Sequence, residues 1–213
     1  MITDPVAEYQ LISQWMAQHI DTTTTPQRLV QKLSIYLNRQ HPTQITLEET
    51  TVLDVDDLTI AAVYDPWLDE EQRKPLILFF MINHAKTQDW LITNDVAQSI
   101  AIELIEALVH KYQHMHQYRS RNFILPRPYF STAVDPELKY QQEYLGQMDE
   151  IDAYAVNIAV RQYIRKDPQS LDLVKYYRVF GADHWIVRRL LKKINKRLAY
   201  LESIGNRCTS TEI

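Results

Sequence analysis

Glycine is nearly missing from this chain: 213 residues contain three, Gly146, Gly181 and Gly205. Dinucleotide folds and P-loops need clustered glycines so that backbone amides can reach phosphate closely. Neither motif can be written here, and nucleotide chemistry of those kinds is excluded. Cysteine is down to one, Cys208, in a polar segment, so an intramolecular disulfide is impossible. No apolar run approaches the roughly 18–20 residues that a membrane span needs. The opening MITDPVAEYQ has no basic stretch followed by an apolar one, so export by a signal peptide is not expected. Charge of one sign is lacking too. With 23 Lys and Arg against 27 Asp and Glu, the net charge of −4 gives no global pull toward nucleic acid or an anionic membrane. A cytoplasm-like setting without a membrane partner is expected.

What remains is ordinary globular material, 46% hydrophobic and 23% charged, enough for a core without metal or disulfide staples. Apolar spacing of three and four predicts helices over Ala7–Ile20 and Gln27–Arg39, the second started by Pro26 and closed by Pro42. Short β-branched or aromatic runs then follow at Ile45–Glu48, Thr50–Val55, Leu58–Tyr64 and Pro75–Ile82. Asp56-Asp57 suits a turn, and the acidic stretch Asp65–Glu71 reads as a loop. Leu76–Ile82 is apolar on both faces and should be the most buried strand.

A long helix is expected over Asn94–Ser120, capped by Asn94 or Asp95, with Val96, Ile100, Leu104, Leu108, Val109 and Tyr112 as its buried stripe. Residues 121–140 read as a proline-punctuated loop. Helices are expected again over Gln147–Arg165, Leu171–Phe180 (ended by Gly181) and His184–Glu202. The resulting division is 1–43, N-terminal helices; 44–165, a core; 166–202, C-terminal helices packed on that core; and 203–213, a flexible tail.

Three of the seven histidines sit together in ALVHKYQHMHQYRSR. His110 and His114 are four apart, so a helix projects both rings from one face, the spacing that offers two imidazoles to one divalent ion. His116 points about 200° away from His114. A third ligand must come from elsewhere, and MDEIDAYAVNIA supplies Glu150 or, less favourably, Asp149. Two imidazoles and a carboxylate suit zinc with one position left open. Asp152, Asn157 or a loop oxygen could steady the imidazole N–H groups.

These residues and their order resemble the compact gluzincin-type zincin metallopeptidases, in particular zincin-like proteins of tailed bacteriophages. That family's pattern is a strand pair ending near a Tyr-Asp-Pro-like turn, a strand, an HExxH helix and a downstream Glu. The chain offers Ala62-Val-Tyr64-Asp65-Pro66, Leu76–Ile82, His110-Lys-Tyr-Gln-His114 and Glu150-Ile-Asp152-Ala-Tyr-Ala155. The resemblance covers about residues 45–160 and implies an α+β, small zincin-like domain. In it a short mixed sheet packs on the HExxH-type helix, with a helical C-terminal half. It implies zinc held by His110, His114 and Glu150. The departure is Lys111, which stands where the family has its catalytic Glu. A lysine of ordinary pKa, about 10.4, is a cation and cannot take a proton from a metal-bound water near neutral pH. A second register puts Glu106 in place of the first histidine, making Glu106 an alternative ligand or base.

The resemblance therefore implies a non-catalytic, zincin-like structural or virion-associated phage protein. Its partners would be other phage structural proteins, and its place the host cytoplasm during assembly or the virion. A zinc-dependent peptidase using a non-standard base is the first alternative. The second is a nucleic-acid or partner-binding protein using the basic run Arg188, Arg189, Lys192 and Lys193. Nucleic acid is not favoured, because no aromatic residue interleaves with those charges as a base-stacking platform would. Arg119 and Arg121 can clamp a carboxylate or bind helix-terminal carbonyls. The tyrosines at 140, 144, 154, 163, 176 and 177 read as core and interface residues.

Overall fold

Capping chemistry decides where most of the helices begin. A computed structural model describes residues 4–21, 23–40, 45–51, 58–82, 92–166 and 177–209. Helix α1 (Pro5–His19) starts where Asp4 Oδ1 accepts the Val6 and Ala7 N–H groups, both at 3.0 Å. Helix α2 (Pro26–Gln40) follows Thr25, whose hydroxyl accepts from the Arg28 N–H. Strands β1 (Ile45–Thr51) and β2 (Leu58–Tyr64) lead to the short helix α3 (Pro66–Glu70), then β3 (Leu76–Ile82). Helices α4 (Asn94–Ser120), α5 (Pro136–Leu145), α6 (Met148–Arg165) and α7 (Trp185–Thr209) complete the order. The architecture is α+β and mostly helical.

The sheet is mixed, in the order β1-β3-β2, with β3 parallel to β1 and antiparallel to β2. The all-apolar run is thus the central strand, as its composition required. Only one of its faces is sealed: Leu76, Leu78 and Phe80 are fully buried, while Ile77, Phe79 and Met81 are half-buried. The two faces of the apolar run therefore differ in burial.

Several local expectations change. Ile45–Thr51 is one strand rather than two runs, and the proposed Asp56-Asp57 turn lies outside the described residues. Asp65–Glu71 is not a loop. Asp65 Oδ1 accepts from Trp67 and Leu68 N–H at 2.9 and 3.1 Å, and Pro66 suits the first turn, so a short helix forms. Helix α5 occupies the end of the expected proline loop for the same reason, with Asp135 accepting from Leu138 N–H at 2.7 Å ahead of Pro136. Thr93, not Asn94 or Asp95, caps α4: its hydroxyl accepts from Val96 and its carbonyl from Ala97. Of the helix expected over 171–180, residues 171–176 lie outside the described residues, and Tyr177–Phe180 is one 3₁₀ turn before Gly181 at φ +76°. Helix α7 runs through Thr209, past the Glu202 where its amphipathic pattern weakens.

The chain forms two compact units, Met1–Met115 and His116–Ile213, and the division falls inside α4. In the first, α2 lies along β1, and Leu29, Leu33 and Leu37 are fully buried at helical spacing. In the second, α6 and α7 pack along each other. Ile186, Leu190 and Ile194 make the buried seam of α7, and Ala153, Ala155 and Ala159 keep α6 slim enough for close approach. No helix among the described residues is long and apolar enough to cross a membrane.

Candidate metal centre

Helix α4 is buried around most of its middle, with Ile100, Leu104, Ile105, Leu108, Val109, Tyr112 and Met115 all in the core. Within that apolar helix runs a polar stripe: Glu106, His110, His114 and Gln117, each 7–8% exposed. Their spacing of four, four and three keeps them on one face. Burying polar groups costs free energy unless each finds a partner or a ligand. His116 is exposed, as its angle around the helix required.

The two imidazoles converge. His110 Nε2 and His114 Nε2 lie 3.1 Å apart, the rings edge to face at 4.9 Å between centroids. Two nitrogens about 2.0–2.1 Å from one tetrahedral ion sit about 3.3–3.4 Å apart, so this separation fits chelation with an adjustment of tenths of an ångström. Without an ion, one ring's N–H donates to the other's lone pair. Glu150 completes the group: one ligand atom from each of His110, His114 and Glu150 lies within 4.8 Å of the other two. This group of two nitrogens and one oxygen could hold a metal ion. Glu106 is buried one turn before His110 but lies outside that group.

Glu150 stands in the first turn of α6, where the helix dipole favours negative charge. Its neighbour Asp149 is committed elsewhere. Arg121 Nη1 and Nη2 donate to the two Asp149 carboxylate oxygens at 2.7 and 2.6 Å, a bidentate fork. Gln117 Nε2 donates to the Asp149 carbonyl at 3.1 Å. Arg121 Nε also donates to the Ile124 carbonyl, and the guanidinium lies over the Tyr118 ring. Gln117 continues the stripe of His110 and His114 on α4, and Arg121, just past the helix end, joins it in fixing the start of α6. The carboxylate clamp considered for Arg121 is therefore internal.

Asp152 does not serve an imidazole. It pairs with Lys193 on α7 at 2.9 Å, which takes Lys193 out of the basic run and leaves Arg188, Arg189 and Lys192 exposed. Three tyrosines gather on the Glu150 side. The Tyr144 hydroxyl is hydrogen-bonded with Glu150 and Tyr154, and Tyr154 meets Tyr177 edge to face at 5.7 Å. Gly146, between Tyr144 and α6, has no room for a side chain: an added Cβ would fall 2.6 Å from Tyr129 Cγ and 2.7 Å from the Gln142 carbonyl.

Burial pushes the Tyr177 phenol far above its ordinary pKa, and the negative groups or phenols of Tyr154, Glu150, Tyr144 and Asp152 add to the shift. The sign of the consequence is fixed. Below an unfolded-state pKa of about 10 both states keep the proton and the group contributes no pH dependence. Above it the unfolded chain releases a proton that folded Tyr177 retains, so stability falls as pH rises. Denaturant titrations between pH 9 and 11 should show a shallower fall in Tyr177→Phe than in the wild type.

Reasoning from sequence did not find Gln117, the Arg121–Asp149 fork or the tyrosine group. The first two were signalled by their places three and seven residues beyond His114; the tyrosines carried no signal beyond their number. Comparison with known protein families, with characterised proteins and with solved structures found no match to this chain.

Proposed function

We propose that the chain is a zincin-like protein that binds one divalent ion, zinc by its donor set, and does not hydrolyse peptides. The convergence of His110 Nε2 and His114 Nε2 with Glu150 carries the reading. His110, His114 and Glu150 would hold the ion, which would supply Lewis-acid polarisation of a bound group. The residue next to His110 is Lys111, where peptidase chemistry needs a carboxylate as general base. A structural role in a phage particle extends this reading and rests on the resemblance described above.

The test is a peptide-cleavage assay on zinc-loaded protein with and without chelator. The wild type is expected to show no chelator-sensitive cleavage. Lys111→Glu supplies the missing carboxylate, a group worth about 10²–10⁴-fold in rate where it acts as general base, and slow chelator-sensitive cleavage is expected in that variant alone. Cleavage by the wild type at the rate of the variant would overturn the non-catalytic reading.

A further inference from the structure

We propose that Tyr144 and Tyr154 are positioning residues for Glu150, orienting its carboxylate for metal binding; the inference rests on the metal-binding reading above. An ionised carboxylate only accepts hydrogen bonds, with several lone-pair sites to fill. A ligating carboxylate needs outer partners of its own to hold its angle. The structure offers phenol hydroxyls for this work. Tyr144, on the last turn of α5, is hydrogen-bonded with Glu150 and with Tyr154. Tyr154 lies four residues after Glu150 and so on the same face of α6.

Tyr177 backs the pair. It is fully buried, its ring meets Tyr154 at 5.7 Å and Phe180 at 6.1 Å, and its hydroxyl has no hydrogen-bond partner among the described residues. A phenol kept in the core against Tyr154 fixes the ring that Tyr144 leans on. The short α5–α6 junction, Gly146-Gln147, sets the distance between Tyr144 and Glu150, and the close approach of Tyr129 to Gly146 leaves that junction no slack. Glu150, Tyr144, Tyr154 and Tyr177 all belong to the second compact unit, so the carboxylate's support is built locally.

The experiment titrates zinc into wild-type protein, Tyr144→Phe, Tyr154→Phe and, as a control, Tyr140→Phe, whose side chain is exposed. Each change removes one hydroxyl and keeps the ring. Affinity should fall about tenfold or more in the first two variants, as for other outer partners of metal ligands, and stay unchanged in the control. Saturating stoichiometry should stay at one. Cobalt(II) in place of zinc gives a second readout: the visible absorption of the bound ion should shift in Tyr144→Phe, which loss of fold stability alone would not cause. Wild-type affinity and an unshifted cobalt spectrum in both variants would overturn the positioning role and leave the metal site standing. A wild type that binds neither ion would overturn both.

Discussion

Zinc at a hundredfold excess over its Kd raises the unfolding midpoint of the wild-type protein by about 5–10 °C, and His110→Ala abolishes the rise. Ligand that binds only the folded chain adds about 2.7 kcal/mol at that excess. A chain of this length gains about 2–4 °C per kcal/mol. His110→Ala removes one of the two converging nitrogens and leaves His114 without its 3.1 Å neighbour, so some stability is lost even without metal. The informative quantity is the difference between melts with zinc and with chelator, which cancels that loss. Glu150→Ala should behave in the same way. His116→Ala, on the exposed face, should keep the full zinc response.

Asp149→Ala lowers stability by about 3 kcal/mol, measured by denaturant titration without metal. Asp149 keeps 10% of its side-chain exposure and Arg121 29%, so the pair is largely removed from water. Removing one partner of such a pair strands the other, which costs about 3–5 kcal/mol when burial is complete; the exposure of Arg121 places the effect at the lower end. Arg121→Lys keeps the charge but cannot form the fork at 2.7 and 2.6 Å, and should lose more than half of that stability. A double-mutant cycle isolates the coupling. Zinc affinity should fall in the same variants, because Glu150 is the next residue and its helical turn is set by this clamp. By contrast, Arg188→Ala at the exposed start of α7 should change stability by less than about 0.5 kcal/mol.

Helices with a strong apolar stripe were legible in the sequence. Asn94–Ser120 has the same ends in the reading and in the structure, because its stripe is long and the chain changes character at both sides. Two helices were not legible as such. Pro66–Glu70 and Pro136–Leu145 carry few apolar residues at helical spacing, so periodicity was silent, and their prolines read as breakers. The same prolines, each behind a capping aspartate, start those helices, and that local signal outweighs weak amphipathicity. The alternation of burial along Leu76–Ile82 was illegible because both faces are apolar; only the packing around β3 separates them.

The site divides along similar lines. The His110–His114 pair and the face they share with Glu106 follow from helical spacing alone. Glu150 as their companion follows from the carboxylates of MDEIDAYAVNIA, with Asp149 as the less favoured choice, and the resemblance implies the same residue. The Arg121–Asp149 fork joins the end of α4 to the start of α6, and the contact of Tyr144 with Glu150 depends on how α5 and α6 meet at Gly146. One missing side chain sets that junction, and no periodicity announces it.

The most direct test of the metal-binding claim is elemental analysis of protein purified without a histidine tag, for the wild type, His110→Ala and Glu150→Ala. The account predicts close to one zinc per wild-type chain and almost none in either variant. A metal-free wild type, or equal zinc in all three proteins, would contradict it.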